Sequence, residues 1–321
     1  MIRLPRANDF DRRFRVGASI GLVPLDERWT SESEAIQAAD AACYAAKDSG
    51  RNRVHEWYDA NATPRQMQSG KDWSTRLRGA LEQGRFELFG QLIESCSKQE
   101  RGARVEILLR MREPDGNVLA PAVFLPSADR FELSSRIDRW VFQKTIDWIL
   151  LQETSSIASV AMNVSAQSIR DRSFPDFIEQ GIKTATIEAS KLCFEISETA
   201  AIAHLEETRE FILAMHRLGA RVAIDDFGSG ASSYGYLRTL PVDILKIDGQ
   251  FTRDIAHDQL DQTTVCCFHK IAQTCGLQTI AECVESEAAL NELRRIGIDY
   301  AQGFLRHRPE PLDRLETTLA A

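Results

Sequence analysis

The amino-acid sequence predicts an α/β protein: a (β/α)8 TIM-like barrel with one antiparallel strand, preceded by a small α/β fragment. From residue 71 onward, short apolar segments alternate with amphipathic helical segments. This alternation continues for about 250 residues, which is the usual length of such a barrel. Polar side chains, most of them carboxylates, stand at the ends of most of the apolar segments. These observations set the fold class and place a candidate site at one end of the barrel.

Eight apolar segments have the length and composition of strands. They cover residues 86–93, 103–111, 159–164, 192–196, 221–225, 242–247, 278–283 and 299–305. Residues 94–102 connect the first two strands, and this link is too short for a helical crossover. We therefore expect the first two strands to be antiparallel.

Helical patterns separate the later strands. They cover residues 136–151, 168–183, 204–218, 234–240, 250–275 and 287–296. In the third helix, Leu205, Phe211 and Met215 line one side, and Gly219 stands where a C-terminal cap belongs. Strands that alternate with helices in this way are typical of a parallel sheet.

The first 60 residues have a different organisation. Residues 14–23 and 54–58 predict strands, and residues 34–48 predict an alanine-rich helix. Two strands and one helix bury too little apolar surface to form a core alone. Residues 61–69 are polar and contain Pro64, as linkers often do. We expect a fragment at 1–60, a linker at 61–70 and the barrel at 71–321.

The composition is that of an ordinary soluble protein. Of the 321 residues, 43% are hydrophobic and 27% are charged. The net charge of −8 argues against a general surface for polymeric nucleic acid or anionic membranes. We find no secretory signal and no membrane segment, so we expect a cytoplasmic protein or the cytosolic part of a larger sensor. The seven cysteines include no Cys-x-x-Cys pair, which argues against a zinc site or a disulfide framework.

Two adjacent carboxylates, Asp225 and Asp226, follow the apolar end of the fifth strand and precede Gly228 and Gly230. Because the two side chains repel each other, a cation or water must lie between them. In one interpretation, an aspartate caps the next helix and the glycines shape a turn. In the other, the pair belongs to a cation site.

Other strands also end in polar side chains. These are Glu106, Asn163, Glu195, Lys246 with Asp248, Glu282 and Gln302. In a parallel barrel, the C-terminal ends of the strands converge on one mouth. Oxygen ligands without cysteine or histidine favour Mg²⁺ or Mn²⁺. The strand ends therefore favour the cation interpretation.

The number of carboxylates exceeds what one divalent ion neutralises, so a two-ion site is plausible, with Asp225 as the bridge and Asp226 on the second ion. Two such ions suit the in-line attack of hydroxide on a phosphodiester. Lys246 is a candidate to stabilise the attacking oxygen or the developing charge. Gln302 is a candidate to orient that lysine or the water.

Residues 71–321 resemble the EAL-domain family of cyclic di-GMP phosphodiesterases over their whole length. The motifs that carry the resemblance are Glu106-Ile107-Leu108 followed by Leu109-Arg110, Asn163-Val164-Ser165, Glu195-Ile196-Ser197-Glu198-Thr199, Asp225-Asp226-Phe227-Gly228-Ser229-Gly230, Leu245-Lys246-Ile247-Asp248, Ala281-Glu282-Cys283-Val284-Glu285 and Gln302-Gly303-Phe304.

The resemblance implies hydrolysis of cyclic di-GMP to pGpG, with two Mg²⁺ or Mn²⁺ ions and with Ca²⁺ as an inhibitor. It implies a first ion on Glu106, Asn163, Glu195 and Asp225, and a second on Asp225, Asp226 and Glu282. Glu106, Lys246, Glu282 and Gln302 would be catalytic. Glu198 would steady the loop after Asp226, and a homodimer would form beside that loop. The implied substrate-binding residues are Gln91, Leu108, Arg110 and Asp248.

The N-terminal fragment has a resemblance of its own. Ser19-Ile20-Gly21, Ala39-Asp40-Ala41-Ala42-Cys43-Tyr44-Ala45-Ala46-Lys47 and Gly50-Arg51-Asn52-Arg53 resemble the C-terminal part of a GGDEF (diguanylate cyclase) domain. The N-terminal half of that domain, with its metal-binding acids, has no counterpart in this sequence. We therefore expect no cyclase activity, and we interpret Lys47 and Arg51 as solvated surface charges.

The sequence departs from the EAL pattern at four positions. Ile107 replaces an alanine and is expected near the substrate groove, and Cys283 replaces a glycine and is expected to be small and buried. Leu92 stands where a proline is usual, and Gly90 stands where an aromatic residue is common. These departures keep a second hypothesis open, a receptor that binds cyclic di-GMP without cutting it. A third hypothesis is an unrelated barrel hydrolase that acts on another phosphate ester.

Overall fold

The computed structural model describes residues 18, 20–23, 39, 42, 54–56, 70–97, 102–152, 156–230 and 234–319. The chain divides into two compact units, Met1–Ser69 and Gly70–Ala321. In the first unit, strands β1 (Ile20–Leu22) and β2 (Val54–Glu56) pair in parallel, at two positions where strands were predicted. Most of the predicted helix at 34–48 lies outside the described residues.

The second unit contains the remaining strands and the helices. Its strands are β3 (Phe86–Ser95), β4 (Ala103–Arg112), β5 (Val118–Leu119), β6 (Ile157–Asn163), β7 (Leu192–Ser197), β8 (Arg221–Phe227), β9 (Ile244–Ile247), β10 (Gln278–Ala281), β11 (Tyr300–Gln302) and β12 (Glu310–Pro311). Its helices are α1 (Gly70–Glu82), α2 (Pro121–Arg130), α3 (Ser134–Leu151), α4 (Ala166–Arg170), α5 (Phe174–Ala185), α6 (Glu198–Ala203), α7 (Leu205–Leu218), α8 (Gln259–Cys275), α9 (Glu287–Ile296) and α10 (Leu312–Leu319). Short 3₁₀ helices cover Ala189–Lys191 and Tyr234–Arg238.

Eight strands close into a barrel in the order β3, β4, β6, β7, β8, β9, β10 and β11, and β11 pairs with β3 to complete it. Strand β3 is antiparallel to both of its neighbours, whereas the other neighbouring barrel strands are parallel. The predicted barrel and its single antiparallel strand are therefore confirmed. The short strands β5 and β12 pair antiparallel with β4 and β3.

The barrel has two apolar layers. The larger layer packs the outer face of the strands against the helices and contains residues such as Ile107, Phe194 and Leu245. The smaller cluster takes one residue from each of seven barrel strands, which places it in the barrel interior. Its members are Ile93, Ala161, Cys193, Ala223, Ile244, Ile280 and Tyr300. Because side chains alternate along a strand, residues two positions further along face the same interior.

Three predicted helices differ from the structure, and the one predicted at 234–240 is the 3₁₀ helix Tyr234–Arg238. The helix predicted at 250–275 begins at Gln259, because the Asp258 side chain accepts hydrogen bonds from the backbone N–H groups of Leu260 and Asp261 and so caps it. The helix predicted at 168–183 is two helices, α4 and α5. Pro175 lies in the first turn of α5, where a proline is tolerated but cannot continue a preceding helix.

No helix in the described ranges is long and apolar enough to cross a membrane.

Candidate functional site

The candidate site lies at the C-terminal ends of the parallel strands, directly above the interior apolar cluster. Six of the predicted site residues stand two positions after a member of that cluster, so the alternation of each strand turns them toward the same interior. They are Asn163, Glu195, Asp225, Lys246, Glu282 and Gln302. Glu106 on β4 joins them, and the structure therefore brings together all the strand-end residues predicted to bind metal or act in catalysis.

Lys246 is the centre of the cluster. Its ammonium group is completely buried. Its Nζ atom lies 2.8 Å from Glu195 Oε2, 2.9 Å from Asp225 Oδ1, 2.9 Å from Glu282 Oε1 and 3.2 Å from Glu106 Oε2. Burial alone would lower the pKa of Lys246, but the surrounding carboxylates raise it well above the ordinary lysine value. The lysine therefore stays charged and binds four acidic side chains together.

Burial and mutual repulsion raise the pKa values of three of the carboxylates, those of Glu195, Glu282 and Asp226. Burial first, and then the charge of Glu106, raises the pKa of Glu195 well above the ordinary value of a glutamate. Burial and then Asp225 raise the pKa of Glu282 in the same direction. Burial, followed by Asp225, also raises the pKa of Asp226 to about 7. One ammonium group is thus too little positive charge for this cluster.

Amide side chains complete the site. Asn163 Nδ2 donates to Glu106 Oε1 at 3.1 Å. Gln302 Nε2 donates to Glu106 Oε2 at 2.6 Å and to Gln91 Oε1 at 3.0 Å. Because the Gln302 amide nitrogen has two acceptors, its carbonyl Oε1 faces the other way. That oxygen is buried and makes no hydrogen bond to the described residues.

The adjacent carboxylates form a compact group with a third acid. Oxygen atoms of Asp225, Asp226 and Glu282 lie within 4.8 Å of one another. Asp226 has a backbone φ of 54°, in the left-handed region that non-glycine residues seldom adopt. This turn directs the Asp226 side chain toward Asp225 rather than toward the opposite face of the strand. Such strain is common where a backbone is held for function.

Glu198 supports the loop that follows Asp226. Its carboxylate is fully buried; Oε2 accepts from Gly228 N at 3.0 Å and from Gly230 N at 3.3 Å. Its other oxygen accepts from the Tyr236 hydroxyl at 2.7 Å. The glycine-shaped turn predicted for this segment is therefore present, and Glu198 makes the contacts expected of a residue that steadies it.

The donor set fits divalent cations. Five carboxylates and one ammonium leave an excess of four negative charges when all are ionised, which is the charge that two divalent ions neutralise. In addition, Glu195 Oε1 is buried without a hydrogen-bond partner among the described residues. A buried carboxylate oxygen without a partner is costly, and a cation would satisfy it. Oxygen-only ligands suit Mg²⁺ or Mn²⁺.

The residues predicted to bind substrate lie around this cluster. Leu108 and Arg110 follow Glu106 at alternate positions of β4 and so share its face. Arg110 lies with its guanidinium 5.2 Å from the Phe89 ring centre, and burial lowers its pKa while Glu106 acts in the opposite direction. Asp248 Oδ1 accepts from the backbone N–H of residue 250 at 2.7 Å.

Two expectations about the departures from the family pattern are wrong. Ile107 does not face the groove: it is 2% exposed and packs in the outer apolar layer, because it alternates with Glu106. Cys283 is half-buried rather than buried, and its φ of 53° explains why a glycine fits this position. An added Cβ at Gly90 would lie 2.5 Å from Leu315 Cδ2, so a larger side chain at this position would require the leucine side chain to shift.

Three residues that support the site were not predicted from the sequence: Asp138, Tyr236 and His307. Asp138 on α3 accepts hydrogen bonds from Ser165 N, Ser165 Oγ and Ser168 Oγ at 2.9, 2.6 and 2.6 Å, and so fixes the turn after Asn163. No local pattern marks Asp138 or Tyr236. His307 follows closely after the eighth strand, and this position in the sequence was the only indication that it could lie at the barrel mouth.

Comparison with known proteins agrees with this geometry. The family model described as EAL domain matches residues 74–309. A cyclic di-GMP phosphodiesterase of Shewanella oneidensis, PdeB, is 35% identical over 99% of this chain and 38% of its own length. PdeF, a cyclic di-GMP phosphodiesterase of Escherichia coli, is 36% identical over 74% of this chain and 32% of its own length. The chain thus spans less than half the length of these curated relatives.

Solved structures of EAL-domain proteins also match this chain. The FimX EAL domain from Pseudomonas aeruginosa bound to c-di-GMP matches with a TM-score of 0.70 and 27% identity, over 74% of this chain and 96% of that one. The PaMucR phosphodiesterase in complex with c-di-GMP has a TM-score of 0.70 and 31% identity, over 76% and 99% of the two chains.

Proposed function

The chain belongs to the EAL domain family, and from this premise we propose that it hydrolyses cyclic di-GMP to linear pGpG with two divalent metal ions, in bacterial second-messenger signalling. The observation that carries the proposal is the surplus of carboxylate charge around the buried Lys246 at the barrel mouth. Relatives named as cyclic di-GMP phosphodiesterases support the choice of substrate.

We assign the first ion to Glu106, Asn163, Glu195 and Asp225, and the second to Asp225, Asp226 and Glu282. Mg²⁺ and Mn²⁺ suit this set of oxygen donors, whereas Ca²⁺ prefers more ligands and longer distances and is expected to inhibit. When bound, the two ions would supply the positive charge that activates a water molecule and stabilises the charge developing on the phosphodiester.

The side chains of this protein orient the reactants. Gln302 Oε1 is free of hydrogen bonds to the described residues and is available to accept one from the attacking water. Because Gln302 Nε2 is held by Glu106 and Gln91, this oxygen has a fixed direction. Lys246 keeps its charge next to Glu106 and Glu282, where it can stabilise negative charge that develops during the attack.

Substrate contacts are proposed for Gln91, Leu108, Arg110 and Asp248. Arg110 is the candidate for a phosphate of cyclic di-GMP, since a guanidinium group matches the geometry of phosphate oxygens. Leu108 offers an apolar surface on the face of β4 that also carries Glu106.

The test is incubation of the protein with cyclic di-GMP and Mn²⁺ or Mg²⁺, followed by chromatography of the products. We expect pGpG with either ion and no turnover with Ca²⁺. Glu106→Ala should lose more activity than the roughly 10- to 100-fold typical of residues that merely support metal ligands. Glu207→Ala, at an exposed position of α7, is the matched control. Absence of turnover with both ions would reject the proposal.

A non-catalytic receptor for cyclic di-GMP is the second candidate. The observations that favour it are the departures from the EAL pattern on β3, where Gly90 and Leu92 stand next to Gln91. Calorimetry that detects cyclic di-GMP binding in Mn²⁺, together with an unchanged nucleotide after prolonged incubation, would establish the receptor instead of the enzyme.

Three further assignments belong to the proposal. Residues 1–60 are a GGDEF remnant, residues 61–70 are a linker and residues 71–321 are the EAL barrel. The parallel pairing of β1 with β2 supports the first assignment, and the compact unit from Gly70 onward supports the last. The protein acts in the cytoplasm. It forms a homodimer through elements beside the loop at 226–230, and light scattering on the purified chain would test this assembly.

A further inference from the structure

Strand β3 has a gap along one edge. Strand β11 pairs with β3 at residues 93–95, and β12 pairs with it at residues 89 and 90. Between these two pairings, Gln91 and Leu92 have no partner strand on that edge among the described residues. His307 fills the gap: Leu92 N donates to His307 Nδ1 at 3.3 Å, and Gln91 Nε2 donates to the His307 carbonyl oxygen at 3.0 Å.

The hydrogen bonds of His307 define the state of its ring. Nδ1 accepts from the Leu92 N–H, so this nitrogen carries no proton. In the neutral ring the proton is then on Nε2, which donates to Glu310 Oε1 at 3.1 Å. The side chain is 11% exposed. Because His307 is anchored on both sides, its backbone is also fixed beside Gln91.

The contact continues into the candidate site. Since Gln91 Nε2 is used by His307, its Oε1 faces Gln302 and accepts from Gln302 Nε2 at 3.0 Å. That bond, together with the one to Glu106, turns Gln302 Oε1 away from Glu106. The direction of Gln302 therefore depends on a residue that itself contacts none of the carboxylates bound to Lys246.

We propose that His307 is a positioning residue for Gln302, acting through Leu92 and Gln91; this inference rests on the proposed hydrolytic function. It also gives a role to Leu92, one of the departures from the family pattern. The contact needs a backbone N–H at position 92, which a proline lacks. Leu92 and His307 thus act as a pair.

Steady-state hydrolysis of cyclic di-GMP in Mn²⁺ tests the pair. His307→Ala keeps the carbonyl but removes both side-chain anchors, and it should lower kcat about 10-fold, as loss of a supporting contact does. KM is measured in the same experiment and should rise as well, because Gln91 is also a proposed substrate contact. His307→Asn keeps an acceptor near the position of Nδ1 and should recover most of kcat. The control is His257→Ala, at an exposed histidine that makes none of these contacts.

A double-mutant cycle identifies the route of the effect. Leu92→Pro should lower kcat in the same way, and the Leu92→Pro/His307→Ala protein should be no slower than the slower single variant. Full retention of kcat in His307→Ala, or losses that multiply in the double variant, would overturn the inference while leaving hydrolysis established. If Leu92→Pro does not fold, the His307→Ala and His307→Asn comparison decides.

A separate measurement tests the positioning role of His307 independently of the proposed hydrolysis. The side-chain amide NMR signals of Gln91 and Gln302 report their hydrogen bonds whether or not the protein is active. Both signals should shift in His307→Ala and stay in place in His257→Ala. If the unmodified protein fails to hydrolyse cyclic di-GMP, the proposed function is rejected, and unchanged amide signals would reject the positioning role independently.

Discussion

Lys246 is the residue on which the electrostatics of the barrel mouth depend. Its buried ammonium group is shared by four carboxylates at 2.8 to 3.2 Å. Removal of one partner of a buried ion pair leaves the remaining charge uncompensated, which costs more than the pair contributes. The same carboxylates are the proposed metal ligands, so the lysine and the ions stabilise the same group of charges.

Lys246→Met should therefore destabilise the metal-free protein by about 3 to 5 kcal/mol. Added Mn²⁺ should recover more stability in the variant than in the unmodified protein, because the ions then provide the only cations in the cluster. Urea unfolding with EDTA and with Mn²⁺ measures both effects. Lys144→Met removes an exposed lysine paired with Asp147 and should cost about 1 kcal/mol or less. Equal losses in the two variants would contradict this account.

Asp138 makes stability depend on pH. Burial raises its pKa to about 6, although its hydrogen bonds from Ser165 and Ser168 act in the opposite direction. Since the folded protein holds this proton more tightly than the unfolded chain, stability falls as pH rises from about 4 to 6. The Asp138→Asn protein has no ionisable group at this position. The difference between its free energy of unfolding and that of the unmodified protein should therefore grow in favour of the variant by about 1 to 3 kcal/mol as pH rises across that window. Thermal unfolding at pH 4.5 and 7 measures it, and a difference independent of pH would refute it.

Substitution of Ile107 tests whether this departure from the family motif contributes to the apolar core or faces the substrate groove. Because Ile107 packs between strand and helices, Ile107→Ala should cost about 2 to 4 kcal/mol without raising kcat. Leu151→Ala, at a side chain 78% exposed, should have little effect on unfolding. A gain in kcat with unchanged stability would mean that Ile107 faces the substrate.

At the scale of elements, the strands position the site and the loops hold it. The polar residues at the strand ends predicted the site at the barrel mouth, and the antiparallel β3 followed from the length of one connection. The start of α8 was not predictable from periodicity, because the Asp258 cap overrides the apolar pattern that extends before it. The contact of His307 with Gln91 was not predictable either, because 216 positions separate the two residues.

The loop after β8 gives the prediction at this scale. Glu198 accepts hydrogen bonds from two backbone N–H groups of that loop, and the loop carries Asp226. Glu198→Ala should raise the Mn²⁺ concentration needed for half-maximal hydrolysis by about 10-fold, as expected for a residue that supports a metal ligand. Glu206→Ala, at an exposed position of α7, is the control. An unchanged Mn²⁺ requirement would show that the loop holds Asp226 without Glu198.

At the scale of the whole molecule, closure of the barrel makes the site. Residues from strands far apart in the sequence reach one mouth because their strands are parallel and adjacent. The order of motifs along the chain predicted this convergence and the identity of the carboxylates. The sequence did not predict that Lys246 binds four of them, since the distances between side chains depend on how the closed barrel packs.

Anomalous diffraction from crystals grown with Mn²⁺ tests the central claim most directly. We predict two Mn²⁺ peaks, one among Glu106, Asn163, Glu195 and Asp225, and one beside Asp226 and Glu282. Asp225 should contact both ions. The absence of Mn²⁺ from the mouth, with Lys246 still bound to the carboxylates, would contradict the account.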